Sequence, residues 1–196
     1  MRNRTVNAFF LGTALLLASA LPARAQTLGA GVSFLGDEGG IGATVDYSKP
    51  VRTLSKDRTL GWVADASFHH NGDSIEGFSA SVNQIMVQGG VRLGGTANEK
   101  VSWHVQGLAG LAHASVGGDA GDALDELGDL CNEVGVDCGD AGSNNTFVIT
   151  PGAGIDYALK PGQALRAQFD LPIAVTNGGG STWRFWVGLS WLLKNR

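Results

Sequence analysis

The feature that most constrains this chain is a period of two, repeated eight times. Apolar residues recur at every second position in Leu28, Ala30, Val32, Phe34; in Ile41, Ala43, Val45, Tyr47; and in Leu60, Trp62, Ala64, Ala66, Phe68. The pattern returns in Ile85, Val87, Gly89, Val91, Leu93; in Val101, Trp103, Val105, Gly107, Ala109, Leu111; and in Phe147, Ile149, Pro151, Ala153, Ile155, Tyr157. It closes with Leu165, Ala167, Phe169, Leu171, Ile173 and with Trp183, Phe185, Val187, Leu189, Trp191. Such alternation is the signature of strands with one apolar face, because successive side chains point to opposite sides of a sheet. Thirty glycines weigh against long helices. An even number of strands joined by turns predicts an all-β fold, an eight-stranded antiparallel up-and-down barrel.

A barrel of this kind puts its apolar face either inward, in water, or outward, in lipid. The charged strand residues Asp46, Asp65, Arg92, Asp156, Arg166, Asp170 and Arg184 all lie on the polar parity. Lys49, Lys56, Lys100, Lys160 and Lys194, like every Glu, are expected in turns, loops or the tail. A strand face exposed to water would carry some of them. This one carries Gly, Ser, Thr, Gln, Asp and Arg, which suits a crowded polar interior, so the membrane reading is preferred. With the N-terminus on the periplasmic side, Tyr47, Trp62, Trp103, Tyr157 and Trp191 fall at one rim and Phe34, Phe68, Phe147 and Trp183 at the other. Paired aromatic girdles are what membrane interfaces favour. Short turns are expected at 49–58, 94–100 and 160–163, with loops at 36–39, 70–79, 116–145 and 174–181 on the outer side.

Residues 1–25 read as a cleaved signal peptide, and 26–196 as the barrel domain. Arg2 and Arg4 precede an apolar run from Ala8 to Leu21 that is too short to span a bilayer, and Ala23-Arg24-Ala25 supplies a small-x-small cleavage site. The leader carries three of the 14 basic residues and none of the 18 acids, so the remainder has net charge −7. That balance argues against nucleic acid as a partner. Cys131 and Cys138, the only two cysteines, share one loop of an exported chain and are expected to form a local disulfide.

The segment Pro151-Gly-Ala-Gly-Ile-Asp-Tyr157, followed by a turn and Leu165-Arg-Ala-Gln-Phe-Asp170, resembles the penultimate hairpin of the small OmpA/OmpX-type outer-membrane barrels. Gly29-Ala-Gly-Val-Ser-Phe34 repeats its Gly-x-Gly-apolar-x-aromatic theme at the other end. The resemblance covers nearly all of 26–196. It implies a bacterial outer-membrane protein in contact with membrane lipid and lipopolysaccharide.

Asp46, Asp65, Arg92, His104, Asp156, Arg166, Asp170 and Arg184 are the expected interior network, since charges in so narrow a space must pair. Between Gly117 and Asn145 lie eight acids and no Lys or Arg. Leu124, Leu127, Leu130 and Val134 interleave with them as in a short amphipathic helix, and the spacing is not that of an EF-hand. His113-Ala-Ser115, on the lipid-facing parity and followed by Glu126, has the order of a lipid A deacylase's Ser-His-acid set, without the Asn that normally follows the Ser. His69 and His70 point to opposite faces and make a poor metal pair. The glycine-rich stretches complete no phosphate-binding motif. The expectation is a non-enzymatic, monomeric barrel with a structural or surface-interaction role and a plugged interior, without cofactor or metal, meeting an extracellular protein through loop 116–145. The alternatives are a low-conductance channel and a lipid A-modifying hydrolase.

Overall fold

The computed structural model describes residues 26–36, 40–75, 78–117, 143–175 and 179–193. The leader, the loop with Cys131 and Cys138, its acids and its expected helix, and Lys194 lie outside these residues. The strands are β1 (Gln26–Leu35), β2 (Gly40–Ser55), β3 (Arg58–Ile75), β4 (Phe78–Thr96), β5 (Val101–Gly117), β6 (Ser143–Lys160), β7 (Gln163–Asp170), β8 (Ile173–Ala174) and β9 (Arg184–Leu193).

Every pairing is antiparallel. Each of β1 to β6 pairs with the next in sequence, β6 pairs with β7, β7 with β9, and β9 returns to β1, so no edge is left open. Closure answers the need to satisfy every backbone donor and acceptor, which in lipid has no alternative. The nine strands make eight staves. Asp170 pairs with Gly152, and Ile173 and Ala174 pair with Ile149 and Val148, so β8 continues the register of β7 along the same edge of β6. The interruption falls at Leu171-Pro172, opposite Pro151, where two prolines remove two ladder donors. A bulge or late strand start is a reasonable expectation for Pro151, yet β6 runs straight through it in register with β5. The disruption is borne instead by the neighbouring stave.

Several strands are far longer than the alternating runs. β2 to β6 have 16 to 19 residues, whereas about 10 tilted residues span a bilayer. Two expected connections are correspondingly wrong. The turn predicted at 49–58 is mostly strand, with only Lys56 and Asp57 between β2 and β3, and the loop predicted at 70–79 is mostly the β3–β4 hairpin. Lys49 and Lys160 thus sit in strands, not turns. Pro50 and Arg52 look like turn residues, but a strand that outruns the apolar belt meets water and can carry them, whereas Lys49 is buried. Register shifts at Pro50/Arg52, Thr53/Ser55 and Ala158/Lys160 mark where these extensions twist away. Gly162, at φ 80°, supplies the left-handed residue of the tight β6–β7 turn.

The barrel's two faces are chemically inverted relative to a water-soluble protein. Val87, Val91 and Leu111 are 58, 60 and 61% exposed, whereas Asp46, Asp170 and Arg184 are fully buried. Apolar side chains form the outer surface and ions fill the axis. An apolar area of that extent is rare on a soluble monomer and marks contact with something apolar.

Candidate functional site

The residues of the expected network come from seven staves. β2 contributes Asp46, β3 Asp65, β4 Arg92, β5 His104, β6 Asp156, β7 Arg166 and Asp170, and β9 Arg184. Strand alternation puts each of them inward, and the shear of the barrel decides which of them meet.

They form two joined clusters. In the first, Asp46 accepts from Arg166 Nη1 at 2.7 and 2.8 Å and from Arg92 Nη2 at 2.6 Å. Arg166 is shared: its Nε and Nη2 donate to the two oxygens of Asp156 at 2.7 and 3.2 Å. Ser190 Oγ donates to Asp156 Oδ1 at 3.0 Å, and His104 Nδ1 lies 3.4 Å from Asp156 Oδ2. In the second cluster Arg184 donates through Nη1 to Asp65 at 2.7 Å and to Ser67 at 3.0 Å. Its Nε and Nη2 reach Asp170 Oδ2 at 3.1 and 2.7 Å.

Two glutamines join the clusters. Gln106 Oε1 accepts from Arg92 while its Nε2 donates to Asp170 at 3.1 Å. Gln168 Oε1 faces His104 Nε2 at 2.9 Å while its Nε2 donates to both oxygens of Asp170. Each amide thus links a group of one cluster to an acid of the other. The barrel backbone makes room for them: a Cβ on Gly29 would overlap Asp46 Oδ1, and one on Gly152 would overlap Asp170 Oδ1. Both positions belong to the glycine-rich stretches read from sequence as strand, not phosphate loop.

Several interior residues fall outside the expected network, Gln106 and Gln168 among them. Trp186 is fully buried on the inward parity of β9, with the Arg166 guanidinium 5.9 Å from its ring centroid. Lys49 is 4% exposed, and His69 is buried with Nε2 2.9 Å from Ser33 Oγ. The even-numbered parity of 184–190 would have flagged Trp186 as inward. No sequence signal separates Lys49 from the exposed residues that begin at Val51.

The aromatics sort by height. Tyr47, Trp62, Trp103, Tyr157 and Trp191 occupy register positions near the β2–β3, β4–β5 and β6–β7 turns, and the Tyr47 and Trp62 rings lie 5.2 Å apart. Phe34, Phe68, Phe147 and Trp183 occupy the opposite end, where Trp183 stacks on Phe169 at 6.5 Å. His113 and Ser115 point outward, two residues apart on β5. His113 Nδ1 lies 2.9 Å from Asn145 Oδ1, an amide in the position an orienting acid would take. Among the described residues no hydrogen bond links His113 to Ser115, and no group of three or more His, Cys, Asp or Glu could hold a metal.

Known structures with this arrangement of staves are small barrels of the outer membrane. Neisserial surface protein A superposes with a TM-score of 0.57 at 12% identity, covering 86% of this chain and 96% of that one. Ail, the attachment invasion locus protein of Yersinia pestis, gives 0.52 at 14% identity, covering 86 and 97%. Ail in complex with the heparin analogue sucrose octasulfate gives 0.51 at the same identity and coverage. The fold is that of the small eight-stranded outer-membrane barrels. No protein-family model matches the chain, and no curated protein aligns with it.

Proposed function

We propose that this chain is an outer-membrane barrel with a closed lumen, without enzymatic activity, whose role is to stabilise the membrane and present its outer loops. The observation that carries the reading is the Asp65–Arg184–Asp170 cluster. All three side chains are fully or almost fully buried, and they tie β3, β7 and β9 together across the axis. An eight-stranded lumen is only wide enough for its own side chains, and this one is occupied by ions that hold each other in place. Export through residues 1–25, periplasmic placement of the Trp62 rim, a monomeric state and contact with lipid and lipopolysaccharide belong to the same reading. Its support is the apolar belt, the aromatic rims and the fold shared with outer-membrane barrels. Ail's complex with a heparin analogue makes a surface-contact role for loop 116–145 the natural extension, with Cys131 and Cys138 bridged in that loop.

Single-channel recording in planar bilayers tests the closed lumen. The unmodified protein is expected to be silent, and replacing Asp65, Asp170 and Arg184 together with Ala is expected to produce openings. Steady openings of the unmodified protein would favour a channel. Mass analysis after thiol alkylation without reductant tests the bridge: two alkyl groups added at Cys131 and Cys138 would refute it.

A further inference from the structure

The filled lumen still leaves space near its ends. At the Phe68 end, above the ion network, lies a cavity of about 530 Å³. Its walls include Val82 and Gln84 of β4, Ala114 of β5, and Asn144 and Thr146 of β6, and His69 contributes to its floor. None of the described residues lining it is Asp, Glu, Lys or Arg. The cavity at the other end, about 250 Å³, is bounded by Arg92, Asp156 and Arg166. Met86, Ala112 and Val148 form a buried apolar cluster inside the same stretch of barrel, and Ala112 and Val148 also line the larger cavity.

The size falls in the range of small-molecule sites. The chemistry narrows the class. A charged ligand would give up hydration and find no counter-charge among the described residues that line the cavity. A neutral one carrying amides or hydroxyls would meet the side chains of Gln84, Asn144 and Thr146, with the methyls of Val82 and Ala114 to cover its apolar parts. A second observation points the same way. His69 Nε2 is held by Ser33, while Nδ1 is buried and has no hydrogen-bond partner among the described residues. A buried ring nitrogen left unpaired beside a cavity is costly unless something else satisfies it.

We propose that this cavity binds a neutral small molecule bearing amide and hydroxyl groups, of about disaccharide size, with His69 at the base of the site. The inference rests on the closed-lumen reading only in that the site has a floor. Conductance tests the floor and binding tests the site, so the two can fail separately.

The test uses the full mature barrel folded in detergent micelles, titrated with N,N′-diacetylchitobiose and, separately, with chitobiose. The second compound replaces both acetamides with ammonium groups on the same skeleton. Calorimetry is expected to show saturable binding of the neutral probe, with chitobiose at least about tenfold weaker, equivalent to about 1.4 kcal/mol. The ring nitrogen signals of His69 are expected to shift on saturation. Ala114→Trp, which fills the cavity, is expected to weaken binding about tenfold or more while the protein stays heat-modifiable on a gel. If that variant does not fold, Val82→Phe takes its place. Absence of saturable binding, equal binding of chitobiose, or binding indifferent to the filled cavity would each overturn the proposal.

Discussion

Arg184 and Asp65 meet at 2.7 Å, with both side chains fully inaccessible to solvent, although their strands β9 and β3 stand three staves apart around the barrel. The ion pair therefore crosses the lumen and does not merely decorate one wall. Asp170 holds the same guanidinium from β7 at 2.7 Å. Removing the cation strands two buried carboxylates, and breaking a buried pair typically costs about 3–5 kcal/mol. Arg184→Leu is expected to destabilise the barrel by about that amount in reversible urea unfolding from lipid vesicles. The triple variant Arg184→Leu, Asp65→Asn, Asp170→Asn should recover a substantial part, because no uncompensated charge remains. Recovery of nothing would mean that the ions are not electrically coupled.

Two glycines separate crowding from backbone effects. A side chain at Gly29 would run into Asp46, Trp186 and Arg166, whereas a Cβ at Gly107 meets nothing within 4 Å. Gly29→Ala should cost about 1–3 kcal/mol in the same unfolding assay, since a packed interior must shift to admit it. Gly107→Ala should change stability by no more than about 0.5 kcal/mol. Equal effects would indicate that the interior is not packed against β1.

The outer surface predicts the reverse of an ordinary surface. Val87 is 58% exposed on β4, between the positions that pair with Phe68 and Trp62 of the two rims, and Arg there is expected to cost about 2–4 kcal/mol in bilayers. Arg in place of Leu54, half exposed beyond the register shift at Pro50, should cost about 0–1 kcal/mol, because that part of β2 stands past the apolar belt. A tolerated Val87→Arg would contradict contact with lipid.

Among the described residues, the side-chain partner of the His113 ring is an amide. Asn145 supplies an amide oxygen where a carboxylate would stabilise a protonated imidazole. Ser115→Ala is expected to leave the acylation of lipid A unchanged in cells expressing the barrel, as judged by mass spectrometry of the extracted lipid. A loss of deacylation in the variant would make the chain an enzyme.

Much of the fold was legible in the sequence because the strand period is short and local: a residue's parity alone told Asp65 from Ala66 and Arg166 from Leu165. Stave lengths were not legible. Pro50 and Arg52 carry the chemistry of a turn, and only the long extension of β2 and β3 past the apolar belt explains them as strand. The pairing of the network was not legible either. Whether Arg184 meets Asp65 or Asp46 depends on the stagger between staves that are distant in sequence, which no local pattern encodes. Trp186 was overlooked for a different reason. An aromatic on a polar face looks like an exception, until the cation of Arg166 gives its ring a partner inside.

The most direct measurement of the central claim is fluorescence quenching by lipids brominated near the acyl-chain centre, on two variants that each retain a single Trp. One keeps only Trp186, and the other has all native Trp replaced by Phe and carries Val87→Trp. The account predicts strong quenching at position 87 and almost none at Trp186, because the first faces acyl chains and the second is walled in among ions. Quenching of Trp186 with protection at position 87 would turn the barrel inside out and contradict it.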